Sequence, residues 1–267
     1  MRATGRTQQE IEALLAELKL AGSNLAHTRA NNLAHVRRLV DGDQGVTLGI
    51  DLVYERLQRA PLDPEEVLRI IAGITGCSTD LQYEEGLGYI KPTATYEGLR
   101  EAAVAIRAAI ERRASFIFAS GHPTHMTEAY EQLAGYVRVR GCEVVTPSPE
   151  GIEEYFGHKL ELRGSVYMVT SNGEPAHTHR HEYMRDLLAR IPAGTVGMAV
   201  ADHGFAGAAL NLGIPTVCVM DTNDPGVALA SVLGAPVTVV PLNDNAPGEA
   251  VRVIADILQE FIEELDQ

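Results

Sequence analysis

The sequence predicts an α/β protein: a doubly wound, mostly parallel, Rossmann-like sheet with an inserted β-hairpin and a helical N-terminal region. Three observations predict it. Four short runs, 115–119, 196–200, 216–220 and 237–240, are almost continuously apolar, as strands covered on both faces are. Each run leads into a polar or glycine-bearing cluster and then a helical stretch, a rhythm that implies parallel pairing through right-handed crossovers. The chain of 267 residues is 45% hydrophobic and 22% charged, enough apolar material for one large domain or two small ones.

Taken in order, residues 1–113 read as a helical N-terminal region or cap and residues 114–267 as the α/β domain. Ile11, Leu14, Leu15 and Leu18 recur at helical spacing. A second helix spans Ala30 to Val40. A third starts at Asp63-Pro64, where an aspartate cap precedes a proline at the first helical position. Residues 45–57 fit strand or helix, 77–94 read as a loop, and 95–113 as a helix. After the run 115–119, a helix to Arg140 and a strand at 143–146 complete the first strand–helix–strand unit. Residues 160–164 and 166–170 read as a hairpin inserted in the sheet, with Ser171-Asn172-Gly173 as a turn. Helices follow at 181–191, 206–212 and 227–233 and at the C-terminus. The small residues of 206–212 could pack a homodimer.

The formal net charge is −14, which disfavours a nucleic-acid partner. Absence of tryptophan and only 5% aromatic residues argue against stacking platforms for single strands. The charge is uneven, −3 over residues 1–110 and −11 over 111–267. Much of the excess lies in the last helix, whose Glu249, Asp256, Glu260, Glu263, Glu264 and Asp266 face only Arg252 and read as a solvated surface. No apolar run is long enough to span a bilayer and the N-terminus lacks a signal-peptide core. Cys77, Cys142 and Cys218 have no disulfide or zinc-knuckle spacing, so a cytoplasmic protein is expected.

The polar clusters at the strand ends carry the functional reading. Gly121-His122-Pro123-Thr124-His125, Asp202-His203-Gly204, Asp221-Thr222-Asn223-Asp224 and Asn243-Asp244-Asn245 are far apart in sequence. A parallel sheet brings such ends to one edge, where ligands bind. Gly121, His122 and Thr124 are placed to hold a phosphate at a helix start, with Thr124 as a cap; an ordinary strand–helix turn is the alternative. His177 and His179 alternate in an extended segment and so share a face. With Asp202, Asp221 and Asp224 they could ligate a divalent metal (Mg, Mn or Zn), and His179, Asp202 and His203 could serve in acid–base catalysis. Asp224 also fits a turn or cap, and Asp244 is read as turn chemistry. On the second helix Asn32, His35 and Arg38 form a polar stripe with Arg29 beside it. The stripe is either solvated or, through the arginines, a phosphate grip.

Arg29-Ala-Asn31-Asn32-Leu33 with His35 and Arg38, Asp41-Gly-Asp43, Ala119-Ser-Gly121-His122-Pro123, His177-Thr-His179, Ala201-Asp202-His203-Gly204, Asn223-Asp224-Pro225 and Val240-Pro-Leu242-Asn-Asp244-Asn245 resemble, in order along most of the chain, a largely actinobacterial family labelled phosphatase. Asn243 stands where that family more often has aspartate. The resemblance implies hydrolysis of a phosphate ester and raises the polar stripe from solvated face to site wall. The expectation is therefore a phosphoric monoester hydrolase acting on a small phosphorylated metabolite at the carboxyl edge of the sheet, with metal assistance possible. A phosphosugar isomerase or lyase, or a non-catalytic sugar-phosphate or nucleotide-binding protein, would use the same residues.

Overall fold

A computed structural model describes residues 5–23 and 27–267. The seven-stranded sheet runs β2–β3–β1–β5–β6–β7, with the short β4 (Glu174–Pro175) paired to β3. Strands β1 (Phe116–Ser120), β3 (Val166–Ser171), β5 (Met198–Asp202), β6 (Thr216–Met220) and β7 (Val237–Pro241) are parallel. Strand β2 (Lys159–Arg163) runs antiparallel to β3, so the inserted hairpin is present. From β1 the chain goes out to β3 on one side and returns to β5 on the other, which makes the carboxyl end of β1 the topological switch point.

Alternate strand residues enter two separate cores, the period-2 geometry of a sheet buried on both faces. Phe116, Phe118, Val200, Val217 and Val219 join α1 (Gln8–Glu17), α6 (Pro92–Glu111), α7 (Pro123–Val139) and α12 (Val253–Leu265). Ile117, Ala119, Ala199, Ala201 and Cys218 join α2 (Arg29–Val40), α5 (Pro64–Thr75), α8 (Glu182–Leu188), α9 (His203–Asn211) and α10 (Pro225–Val232). The N-terminal helices thus supply side chains to both cores.

Local signals set most boundaries. Thr28 caps α2 and Asp63 caps α5 with Pro64 at its first position. Residues 45–57 resolve into α3 (Gln44–Thr47) and α4 (Asp51–Arg59) rather than a strand. The strand expected at 143–146 is only a bridge between Phe116 and Val144. The C-terminal acids are not merely solvated: Glu260 binds Arg6, Glu264 binds Arg100, and Asp266 binds Arg107 and Arg140. These partners come from distant segments, so the sequence-local count of one arginine missed them. Helix α9 is buried from His203 to Leu210, packed on α8, β5 and β6, so its small residues serve the core and do not offer a dimer surface. No helix among the described residues is long and apolar enough to cross a membrane.

Candidate active site

The carboxyl ends of β1, β5, β6 and β7 bring the predicted clusters together, and the strap after β4 closes over them. The strap residue Thr178 donates its N–H to Gly121 O at 2.8 Å. It lies so close to the β1 and β5 ends that only glycine fits beneath it. A Cβ on Gly121 would collide with Thr178 O, and one on Gly204 with the backbone of His179, Arg180 and His181. This crossing carries the imidazoles of His177 and His179 over His203, with ring centroids 5.0 Å and 4.6 Å from it. The two strap rings lie 4.8 Å apart, on one face as alternation requires. His122, at the start of α7, stacks on His177 at 4.3 Å.

His203 is the hub. Its φ of 49° is left-handed, an unusual conformation for a side-chain-bearing residue. This junction aims the ring into the cluster. Nδ1 donates to Asp202 Oδ1 at 2.9 Å. That leaves Nε2 facing Asp244 Oδ2 at 3.5 Å and Asp224 Oδ1 at 3.9 Å. Burial, the largest influence on this ring, opposes its charge, but Asp224, Asp202 and Asp244 outweigh it and raise its pKa to about 10. The strap rings have no such partners. Burial and then His203 lower His177 to about 2, and burial and then His203 lower His179 to about 3. His179 Nδ1 donates to Gly45 O, so Nε2 of the neutral ring carries a free lone pair.

Four carboxylates lie here at 2% exposure or less: Asp202, Asp221, Asp224 and Asp244. Burial lifts Asp224 to about 6, against the pull of His203. Burial and then the neighbouring Asp244 push Asp221 well above the ordinary range. Burial works on Asp244 too, but His122 and His203 hold it below that range. Such packing of acid with imidazole leaves atoms unpaired. His122 Nδ1, Asp221 Oδ2 and Asp224 Oδ1 are all buried without a hydrogen-bond partner among the described residues, a condition that costs stability unless something else satisfies them.

Several predicted site residues are present but turned to other work. Asp202 Oδ1 accepts from Gly121 N at 2.6 Å, His122 N at 3.2 Å and His203 Nδ1. The N–H groups expected to cradle a phosphate therefore point at a carboxylate. Thr124 is exposed and caps nothing; His122 occupies the cap position of α7. Arg29 is 4% exposed and gives its guanidinium to the carbonyls of Ser78, Asp80 and Tyr83, fastening the loop before α6. Arg38 binds Asp43 at 2.9 Å and reaches His35 Nε2 at 3.1 Å. His35 Nδ1 donates to Asn223 O, and Asn32 Nδ2 to Thr222 Oγ1 at 2.7 Å. The polar stripe of α2 is thus a wall that braces the β6 loop. Asn243 donates its amide to Lys19 O at 2.8 Å.

Two residues that sequence reasoning did not select belong to the cluster. Asp244 satisfies the same strand-end rule as Asp202 and Asp221; its turn-like neighbours masked that signal. His27 precedes α2, and its Nε2 lies 3.8 Å from Asp221 Oδ2. Nothing local marks it, since only the fold carries it to the β6 and β7 ends. Among the described residues, three groups have ligand atoms within 4.8 Å of one another: His122, His177 and His203; His179, His203 and Asp224; and His27, Asp221 and Asp244. Imidazoles and carboxylates in such sets suit zinc, manganese or another divalent ion. A pocket of about 150 Å³ lined by Gln44, Gly45 and residues 179–182 opens beside His179. A cleft of about 470 Å³ lies elsewhere, between α5, α6 and β7, and has no histidine in its lining.

A doubly wound α/β sheet with a histidine- and aspartate-lined carboxyl edge defines the class of protein. The chain belongs to the Phosphatase family, whose model matches residues 6–262. It is 32% identical over 242 residues to Phosphatase SCO2771 of Streptomyces coelicolor, covering 90% of this chain and 89% of that protein. No solved structure matches significantly.

Proposed function

We infer that the protein hydrolyses a phosphate monoester of a small molecule at the carboxyl edge of the sheet, with a divalent cation held by His122, His177, His179, His203 and Asp224. The family supports phosphatase chemistry. The observation that carries the rest is the sign of the charge. Four buried carboxylates face the site, whereas Arg29 is committed to a loop, Arg37 to Glu84 and Arg38 to Asp43. A phosphate meeting those carboxylates needs a positive charge that the available arginines do not supply. The unpaired buried Nδ1 of His122 and Oδ1 of Asp224 are the donors such a cation would satisfy.

A divalent cation supplies Lewis acidity toward phosphoryl oxygens and a water acidic enough to attack near neutral pH. The protein's own groups do the remaining work. His177 and His179 stay neutral at neutral pH and so keep their lone pairs available. Asp202 is a positioning residue: it fixes the His203 tautomer and ring, presenting Nε2 to the site. His203 Nε2, between Asp224 and Asp244, is the nitrogen that would hold the cation. The free cysteines fit a cytoplasmic setting.

The test is a screen of phosphorylated sugars, nucleotides and small alcohols for released inorganic phosphate, with product analysis by NMR. Phosphate release that is lost in His203→Ala supports the reading. Isomerised or cleaved carbon skeletons without phosphate release, or thermal stabilisation by ligands without turnover, overturn it.

A further inference from the structure

We propose that the site holds a second divalent cation, bound by His27, Asp221 and Asp244, with Asp244 lying between it and the residues proposed to hold the first. The inference rests on the proposed cation at the imidazole group. His27, Asp221 and Asp244 present ligand atoms within 4.8 Å of one another. They come from three segments: the stretch before α2, the end of β6 and the loop after β7. Asp221 is fully buried, and its two oxygens have different fates. Oδ1 accepts from Thr222 N at 2.5 Å and Thr222 Oγ1 at 3.1 Å. Oδ2 has no hydrogen-bond partner and lies on the side of His27 Nε2. A buried carboxylate oxygen left open toward an imidazole nitrogen and a second carboxylate is what a cation would complete.

Asp244 ties this group to the first. Its Oδ2 is 3.4 Å from His122 Nδ1 and 3.5 Å from His203 Nε2, both in the imidazole group. The same residue is the third member of the His27 group. His203 cannot be the bridge, because its Nδ1 is committed to Asp202 and only Nε2 remains. The imidazole sets that share His203 therefore count as one cation position, and the His27 set as another. The amides of Asn245 and Asn223, 2.7 Å and 3.3 Å from His27 Nε2, are the groups a cation would displace there. Two adjacent cations there would stabilise the charge on one phosphoryl group.

The full-length protein is stripped with chelator, titrated with manganese(II) alone, and analysed by calorimetry, elemental analysis and electron paramagnetic resonance. Two manganese ions per chain with an exchange-coupled spectrum are expected. His27→Gln and Asp221→Asn should each retain one ion and show an uncoupled six-line signal. The two variants remove different ligands, and circular dichroism checks that each is folded. One ion per chain in the parent, or two coupled ions in both folded variants, overturns the second site. Phosphate release by a protein holding one ion would sink this inference alone. Two coupled ions without any phosphate release would sink the hydrolase reading and leave the second site standing.

Discussion

Asp202 Oδ1 accepts a hydrogen bond from His203 Nδ1 at 2.9 Å while also receiving the N–H groups of Gly121 and His122. One carboxylate thus locks the β1 loop to the β5 end and sets the tautomer of the central histidine. Asp202→Asn keeps an oxygen for the backbone donors but removes the charge behind the imidazole. It should lower phosphatase activity and metal affinity by about 10–100-fold, as loss of a carboxylate behind a ligating histidine does elsewhere. Its melting temperature should change far less than its activity. Steady-state kinetics beside calorimetric metal titration checks this, and unchanged values in both would remove Asp202 from the site.

Arg29→Ala should act on stability and not on substrate affinity. Its guanidinium makes three bonds to backbone carbonyls of residues 78, 80 and 83 from a 4% exposed position. Charged hydrogen bonds are worth about 1.5–3 kcal/mol each and do not add fully, so a fall of several degrees in Tm is expected. A rise in KM for a phosphorylated substrate with an unchanged Tm would restore the arginine as a phosphate grip.

This arginine shows where the sequence was legible. The strand ends were readable because continuous apolar runs followed by polar clusters obey a rule of the fold itself. That rule alone places His122, Asp202, His203, Asp221 and Asp224 on one edge. It could not say which way each polar group points. Arg29 and the N–H groups of Gly121 and His122 are spent on neighbours brought in from elsewhere in the chain. Asp244 followed the rule but also matched turn chemistry, and only its burial beside His122 and His203 separates the two. His27 left no local trace, since its place depends on how the segment before α2 crosses the sheet edge.

Gly204→Ala should disturb the site through the backbone. The added methyl meets the strap carbonyl and amide groups of residues 179–181, which cannot move without shifting His179. Overpacking of this kind costs about 1–3 kcal/mol. A lowered Tm together with weaker metal binding is expected. Loss of stability with metal affinity intact would show that the strap tolerates the shift.

Acid should destabilise the chelator-treated protein through His179. Burial and then His203 lower this imidazole from 6.5 to about 3. As pH falls below 6.5, the unfolded chain binds a proton that the folded site refuses, so stability drops, by at most about 1.4 kcal/mol per pH unit. Asp221 and Asp224, whose pKa values are raised, bind protons preferentially when folded and work in the opposite direction. His179→Gln removes only the first effect. Its urea midpoint should fall less than the parent's between pH 7 and pH 5; an equal or steeper fall would contradict the buried neutral imidazole.

The most direct measurement is inorganic phosphate released from a panel of phosphomonoesters by the protein as purified, after chelation, and after manganese, magnesium or zinc is restored. Hydrolysis of at least one ester, abolished by chelation, recovered with one of the ions and absent in His203→Ala, is predicted. Hydrolysis that survives complete chelation, or that persists in His203→Ala, would contradict a cation-assisted phosphatase site built around His203.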